Sequence, residues 1–185
     1  MPVSVVYETH SVTVDNEIGR ATGWQPGELS ERGRELAAEL GRRRHDDRLS
    51  AVFCSDLDRA AQTARIAFAG SPVPVLLDWR LRECDYGSRA GMPVAELHSG
   101  RASHLDAPYP GGESWRQAVR RVGWFCRDLA SWRDGERVLV IGHVATRWGL
   151  EHHLGGVPLE DLAAANFDWQ PGWEYTLASG AQLPG

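Results

Sequence analysis

The sequence has little cysteine: three residues in 185, at Cys54, Cys84 and Cys126, with no CxxC pair among them. That scatter argues against a disulfide framework or a cysteine zinc site and points to free thiols in a reducing compartment. No apolar run is long enough to cross a bilayer, so no membrane partner is expected. The opening Met1-Pro2-Val3-Ser4-Val5-Val6 has no basic segment ahead of an apolar one, so the expectation is no signal peptide and a cytoplasmic location. Positive charge is not in excess. The formal net charge is −5, which argues against a nucleic-acid binder. Repeats, linkers and low-complexity stretches are missing, so residues 1–185 read as one domain. No GxGxxG or GxxxxGKS/T follows a strand, so Gly111-Gly112 is not read as a nucleotide loop. Nothing in the sequence fixes the oligomeric state, and a homodimer stays open.

What is present alternates strand with helix. Residues 3–8 read as a buried strand and 9–29, with Gly19, Gly23, Pro26 and Gly27, as a long loop. Ser30 is placed to cap a helix running to about Arg44, with Leu36, Ala37 and Leu40 on one face. The run Arg42-Arg43-Arg44-His45 then reads as a solvated helix C-terminus, where cations suit the dipole. A strand at 50–54, a helix from Asp56 to about Ala69 and a strand at Val73–Leu77 follow. Residues 82–112 are loop-rich, with one short helix from Pro93, and a longer helix covers about Glu113–Trp132. Arg137–Ile141 is the clearest strand, followed by a helix from His143 to about Leu154 and a last strand near Tyr175–Leu177. This alternation predicts an α/β three-layer sandwich, a mainly parallel central sheet flanked by helices. Ligands of such sheets sit at the carboxyl ends of the strands.

Residues with chemistry fall at those ends. His10 follows the first strand, Ser55-Asp56 and Arg59 the second, Glu83 the third, and Gly142-His143 the strongest. A neutral imidazole can attack phosphorus. An arginine can grip phosphate oxygens through two N–H groups. A histidine at a helix N-terminus can steady negative oxygens, and a carboxylic acid can protonate a leaving alkoxide. Phosphoryl transfer is the chemistry this set suits.

Five segments carry a family resemblance. Ser55-Asp56-Leu57-Asp58-Arg59-Ala60-Ala61-Gln62-Thr63-Ala64 resembles the SxxxRAxQTA segment of histidine phosphatases and cofactor-dependent phosphoglycerate mutases. Leu81-Arg82-Glu83-Cys84-Asp85-Tyr86-Gly87 is similar to their LRExxxG acid loop. Gly112-Glu113-Ser114 is similar to their GES turn, Val138–His143 to their second-histidine strand, and Leu29-Ser30-Glu31-Arg32-Gly33 to their LTxxG helix start. The segments keep the family's order from residue 3 to about residue 155. The resemblance implies the family's sandwich fold and a phosphohistidine on His10. It implies Arg59 and His143 as phosphate ligands, Glu83 as acid, and Asn16, Thr22 and Gly23 at the border of the phosphate. No metal or organic cofactor is implied, and the expected partner is a small phosphorylated or anionic substrate. The short stretch between Glu83 and Glu113 fits a phosphatase hydrolysing a small organic monoester better than a mutase.

The first motif departs from the family's RHG, reading Thr9-His10-Ser11, with Glu8 where an apolar residue is usual and Val144 where glycine follows the second histidine. Losing a charged hydrogen bond in a closed site costs on the order of 2–4 kcal/mol, roughly a hundredfold or more in rate. Three readings stay open. Arg147, on the same helical face as His143, or Arg20 takes over. The substrate carries less charge, as for a lyase, isomerase or transferase reusing the pocket. Or the protein binds without catalysis. Glu8 is expected to pair with a cation in the pocket. Trp24, Trp79, Trp115, Tyr86 and Tyr109 lie in or beside loops that, by the family resemblance, border the site. Packing is the plainer reading for most of them, and an aromatic pocket wall the sharper one. His152-His153 are expected to be surface histidines rather than a metal pair.

Overall fold

The computed structural model describes residues 1–165 and 168–179. Five strands form the main sheet: β1 (Val3–Thr9), β3 (Ala51–Cys54), β4 (Val75–Leu77), β6 (Arg137–Gly142) and β7 (Trp173–Leu177). Their order is β4-β3-β6-β1-β7, parallel throughout except for β7, which runs antiparallel to β1. The remaining strands, β2 (Arg20–Ala21) and β5 (Met92–Pro93), pair separately. The helices are α1 (Val14–Glu17), α2 (Glu31–Arg44), α3 (Asp58–Ala67), α4 (Val94–Gly100), α5 (Trp115–Trp132), α6 (Val144–His153) and α7 (Leu159–Ala164).

Alternation along the strands builds both cores. Val6, Val52, Cys54, Leu139 and Ile141 face one way and pack with Leu40 of α2 and Ala60 and Ala64 of α3. Val3, Val5, Tyr7, Phe53, Val138 and Val140 face the other way, against Val122, Phe125 and Leu129 of α5 and Leu150 of α6. The sandwich is therefore as expected.

Two local expectations need correction, and the expectation of free thiols holds. The 9–29 stretch is not all loop. Thr13 and Asn16 exchange side-chain and backbone bonds in a capping box that starts α1, and β2 follows. Helix α7 had no periodic signal and was not expected. The three cysteines are free and buried, and burial raises all three thiols above their ordinary value. Among the described residues no helix is long and apolar enough to cross a membrane.

Candidate functional site

At the carboxyl end of the sheet lies a cavity of about 670 Å³ lined by His10, Arg59 and Glu83. His10 leaves β1 with its N–H bonded to the Gly142 carbonyl at 2.9 Å, so the two histidine strands are tied at their ends. The next residue is fixed twice. Ser11 N–H donates to Thr63 Oγ1 at 2.9 Å, and Ser11 Oγ donates to the Gly33 carbonyl at 2.6 Å. Two motif residues thus have a mechanical role. Thr63 anchors the histidine loop to α3, and Gly33 lets α2 pass where a side chain would strike the Val12 carbonyl.

The His10 ring is set by Nδ1, which lies 2.7 Å from the Ser11 carbonyl. A carbonyl only accepts, so Nδ1 carries the proton and Nε2 keeps its lone pair. Burial, and then the charge of Arg59, push the His10 pKa down to about 3, so the ring is neutral near pH 7. His143 is fully buried with its ring centroid 4.8 Å from that of His10. Its Nε2 meets Ser55 Oγ at 2.9 Å, and its Nδ1 has no hydrogen-bond partner. Burial first, then Arg59 and His10, hold its pKa well below the ordinary value.

Arg59 is buried and donates to the Gly23 carbonyl at 2.8 Å and the Gln25 carbonyl at 3.4 Å. Two of its five N–H groups are used, and three remain for a ligand. Glu83 Oε1 accepts from the backbone N–H groups of Cys84 (2.9 Å) and Ala145 (3.0 Å). It makes no ion pair with Arg80 or Arg82: the former is held by Asp78 and Asp128, the latter by Asp56. Arg121, itself fixed by Glu113, grips the carbonyls of Arg80, Arg82 and Glu83 at 2.7–2.8 Å. The GES turn therefore supports the acid loop from behind.

The neighbourhood of the missing arginine differs from expectation in two respects and agrees in another. Glu8 is 1% exposed and is paired, as expected, with cations. These are Arg43 (3.0 Å) and Arg44 (2.7 Å), from the run expected to be solvated. That reading is corrected. Arg44 is largely buried and also bound to Asp47, and Arg43 lines the cavity. Arg147 is corrected as well. It lies over the Trp173 ring at 4.5 Å and near Glu151, and the described lining of the cavity does not include it. Arg20 does line the cavity, with one N–H on the Gly91 carbonyl.

Thr9, Asn16, Thr22 and Gly23 line the cavity, although Asn16 Oδ1 is already engaged by Thr13 N–H. Gly23 has φ +56°, and a side chain there would press on Tyr86. Of the aromatic residues singled out in the sequence, Trp115 and Tyr86 reach the cavity, and Trp169 lines it as well. Trp24 packs outside the lining, its Nε1 donating to the Glu83 carbonyl while Arg82 covers its ring. Tyr109 is buried behind, stacked on His104, and Trp79 is exposed elsewhere. His152 and His153 are partly buried and bonded to the Val157 and Val119 carbonyls, not simply surface groups. Among the described residues no three His, Cys, Asp or Glu side chains are grouped to hold a metal. Sequence reading missed Arg32, Arg43, His98, Arg101 and Trp169 as lining residues. Arg32 holds an unspecified position of the LTxxG segment, the others belong to no motif, and nothing in their spacing marks them.

Comparison with known proteins bears on the same residues. The family model for the histidine phosphatase superfamily (branch 1) matches residues 9–171. A 2,3-bisphosphoglycerate-dependent phosphoglycerate mutase of Methylobacterium sp. is 34% identical over 157 residues, 76% of this chain and 75% of that protein. The structure of Bacillus stearothermophilus YhfR superposes with a TM-score of 0.80 at 28% identity, covering 91% of this chain and 88% of that one. A mycobacterial glucosyl-3-phosphoglycerate phosphatase, solved with VO3, gives 0.77 at 25% identity, covering 88% and 87%. The matched span, which contains His10, Arg59, Glu83 and His143, places this chain in the histidine phosphatase superfamily.

Proposed function

We propose that the protein is a phosphatase that hydrolyses a small organic phosphate monoester through a phosphohistidine on His10, without a metal ion. The observation that carries this reading is the His10 ring: neutral, fixed through Nδ1, and lining the cavity that Arg59 and Glu83 also line. Nε2 attacks phosphorus as the ester P–O bond breaks. Arg59 steadies the phosphoryl oxygens through its free N–H groups, and the family resemblance gives His143, whose ring lies 4.8 Å from that of His10, the same role although it does not line the cavity. Glu83, with Oε1 occupied by two N–H donors, serves as the general acid through Oε2, giving a proton to the departing oxygen. Water then attacks the phosphohistidine, Glu83 takes its proton back, and phosphate leaves. Relatives include both mutases and phosphatases by name. The short segment between Glu83 and Glu113 favours the hydrolase, because it leaves room for water.

The test is an assay with chelator present, from pH 5 to 8, on an aryl phosphate and a panel of metabolite phosphates. The expected outcome is turnover that falls by about a thousandfold or more in His10→Ala, as for loss of a nucleophile. Turnover that persists in His10→Ala would overturn the phosphohistidine route.

A further inference from the structure

Arg101 ends α4 and opens the short 3-10 turn Arg101–His104. It is 5% exposed, its Nε has no hydrogen-bond partner, and no described acidic side chain pairs with it. Its guanidinium lies over the Trp148 ring at 5.3 Å and the Trp115 ring at 6.0 Å. The other buried arginines, Arg59 and Arg121, and the nearly buried Arg44 all have oxygen partners. Arg44 has Glu8 and Asp47, Arg121 has Glu113, and Arg59 has two carbonyls. Aromatic faces attract a cation but do not replace a counter-ion, so a buried guanidinium left this way destabilises the empty site. Such a group stabilises whatever anion enters beside it. Arg101 lines the same cavity as His10 and Glu83.

Its position within the cavity follows from its neighbours. Trp148 and Ala145 share α6, and the Ala145 N–H holds Glu83 Oε1. Ala145, Trp148, Trp115 and Tyr86 pack as one cluster. Arg101 therefore stands on the acid's side of the cavity, where the leaving group departs. The electrostatics agree. Apart from burial, Tyr86 and Glu83 act most on Arg101, whereas the charge acting on His10 is that of Arg59.

We propose that Arg101 binds a second anionic group, a carboxylate or phosphate, on the organic part of the substrate, and so selects monoesters carrying two anionic groups. This rests on the phosphatase reading above. Arg20, Arg32 and Arg43 also line the cavity, but so do Glu8, which holds Arg43, and Glu39, so the support comes from Arg101 itself, a buried cation there with no acidic partner.

Phenyl phosphate and its 3- and 4-carboxy derivatives test the idea on the full chain. The measurements are kcat/KM for wild type, Arg101→Met and Arg101→Lys, and calorimetric binding to the His10→Ala form. A charged hydrogen bond predicts a wild-type preference for a carboxylated ester of at least about tenfold. That ratio should collapse toward one in Arg101→Met and recover in part in Arg101→Lys. A wild-type ratio near one, or a ratio that survives in Arg101→Met, overturns the proposal. Should Arg101→Met not fold, the wild-type ratio and Arg101→Lys still decide. Failure of the phosphatase reading has another signature: no turnover that depends on His10, with the binding preference still measurable in His10→Ala.

Discussion

Glu8 sits one residue from the position where a phosphate-gripping arginine is usual, and it binds two arginines instead. A buried carboxylate between two guanidiniums satisfies both desolvation and charge, and removing one partner of such a set leaves the others unpaired. Glu8→Gln keeps the shape and removes the charge. It should lower unfolding free energy by about 3 kcal/mol in urea titration, with Asp47 still holding Arg44. At this scale the sequence was partly readable. That Glu8 needs a cation follows from burial in a strand. Which cation it finds does not, because Arg43 and Arg44 are 35 and 36 residues away in the chain and meet it only after α2 folds across β1. The same holds for Arg101, whose unpaired state is a property of its surroundings and not of its neighbours in sequence.

The elements meet through glycines as well as through apolar faces. At Gly149 of α6 a Cβ would overlap the side chain of Val122 on α5, which is fully buried. At Gly41 of α2 a Cβ would strike the Ala67 carbonyl at the end of α3. Alanine gains about 1 kcal/mol of helix propensity over glycine, but overpacking a tight core costs typically about 1–3 kcal/mol. Because the obstacle at Gly149 is the branched base of a locked side chain, Gly149→Ala should be destabilising on balance, by about 1–2 kcal/mol, read as a lower urea midpoint. Long elements such as α2, α5 and β6 were legible because pattern and burial agree over many residues. Strands β2 and β5 are two residues each and exist only because Arg20 and Ala21 lie against Pro93 and Met92. No local period can announce such a pairing. The six residues of α7 likewise form where Leu159 and Leu162 find the cluster around Trp115 and Trp148.

Across the whole molecule, neutral buried histidines couple stability to pH. An unfolded histidine titrates near 6.5, whereas His10 in the fold titrates near 3. The contribution is fully present above pH 6.5. As pH falls below that value the unfolded chain takes up a proton that the folded chain refuses, and stability is lost by about 1.4 kcal/mol per unit for each such group until the folded value is reached. His143 adds to the slope in the same direction. Unfolding free energy measured between pH 6.5 and 5 should therefore drop steeply, and His10→Gln should remove about 1.4 kcal/mol per unit from that slope. An unchanged slope would mean that the ring is not held neutral. Far from these histidines, at the opposite end of β1, the amino group of Met1 binds Asp134 and the Met1 carbonyl accepts from the Ser179 hydroxyl. The two ends of the described fold thus meet where no catalytic group lies. A short linker could join them, and the chain could be opened at the exposed turn around Gly70, where φ is +76° and a Cβ would meet nothing. Such a circular permutant would carry the same cavity on a reordered chain.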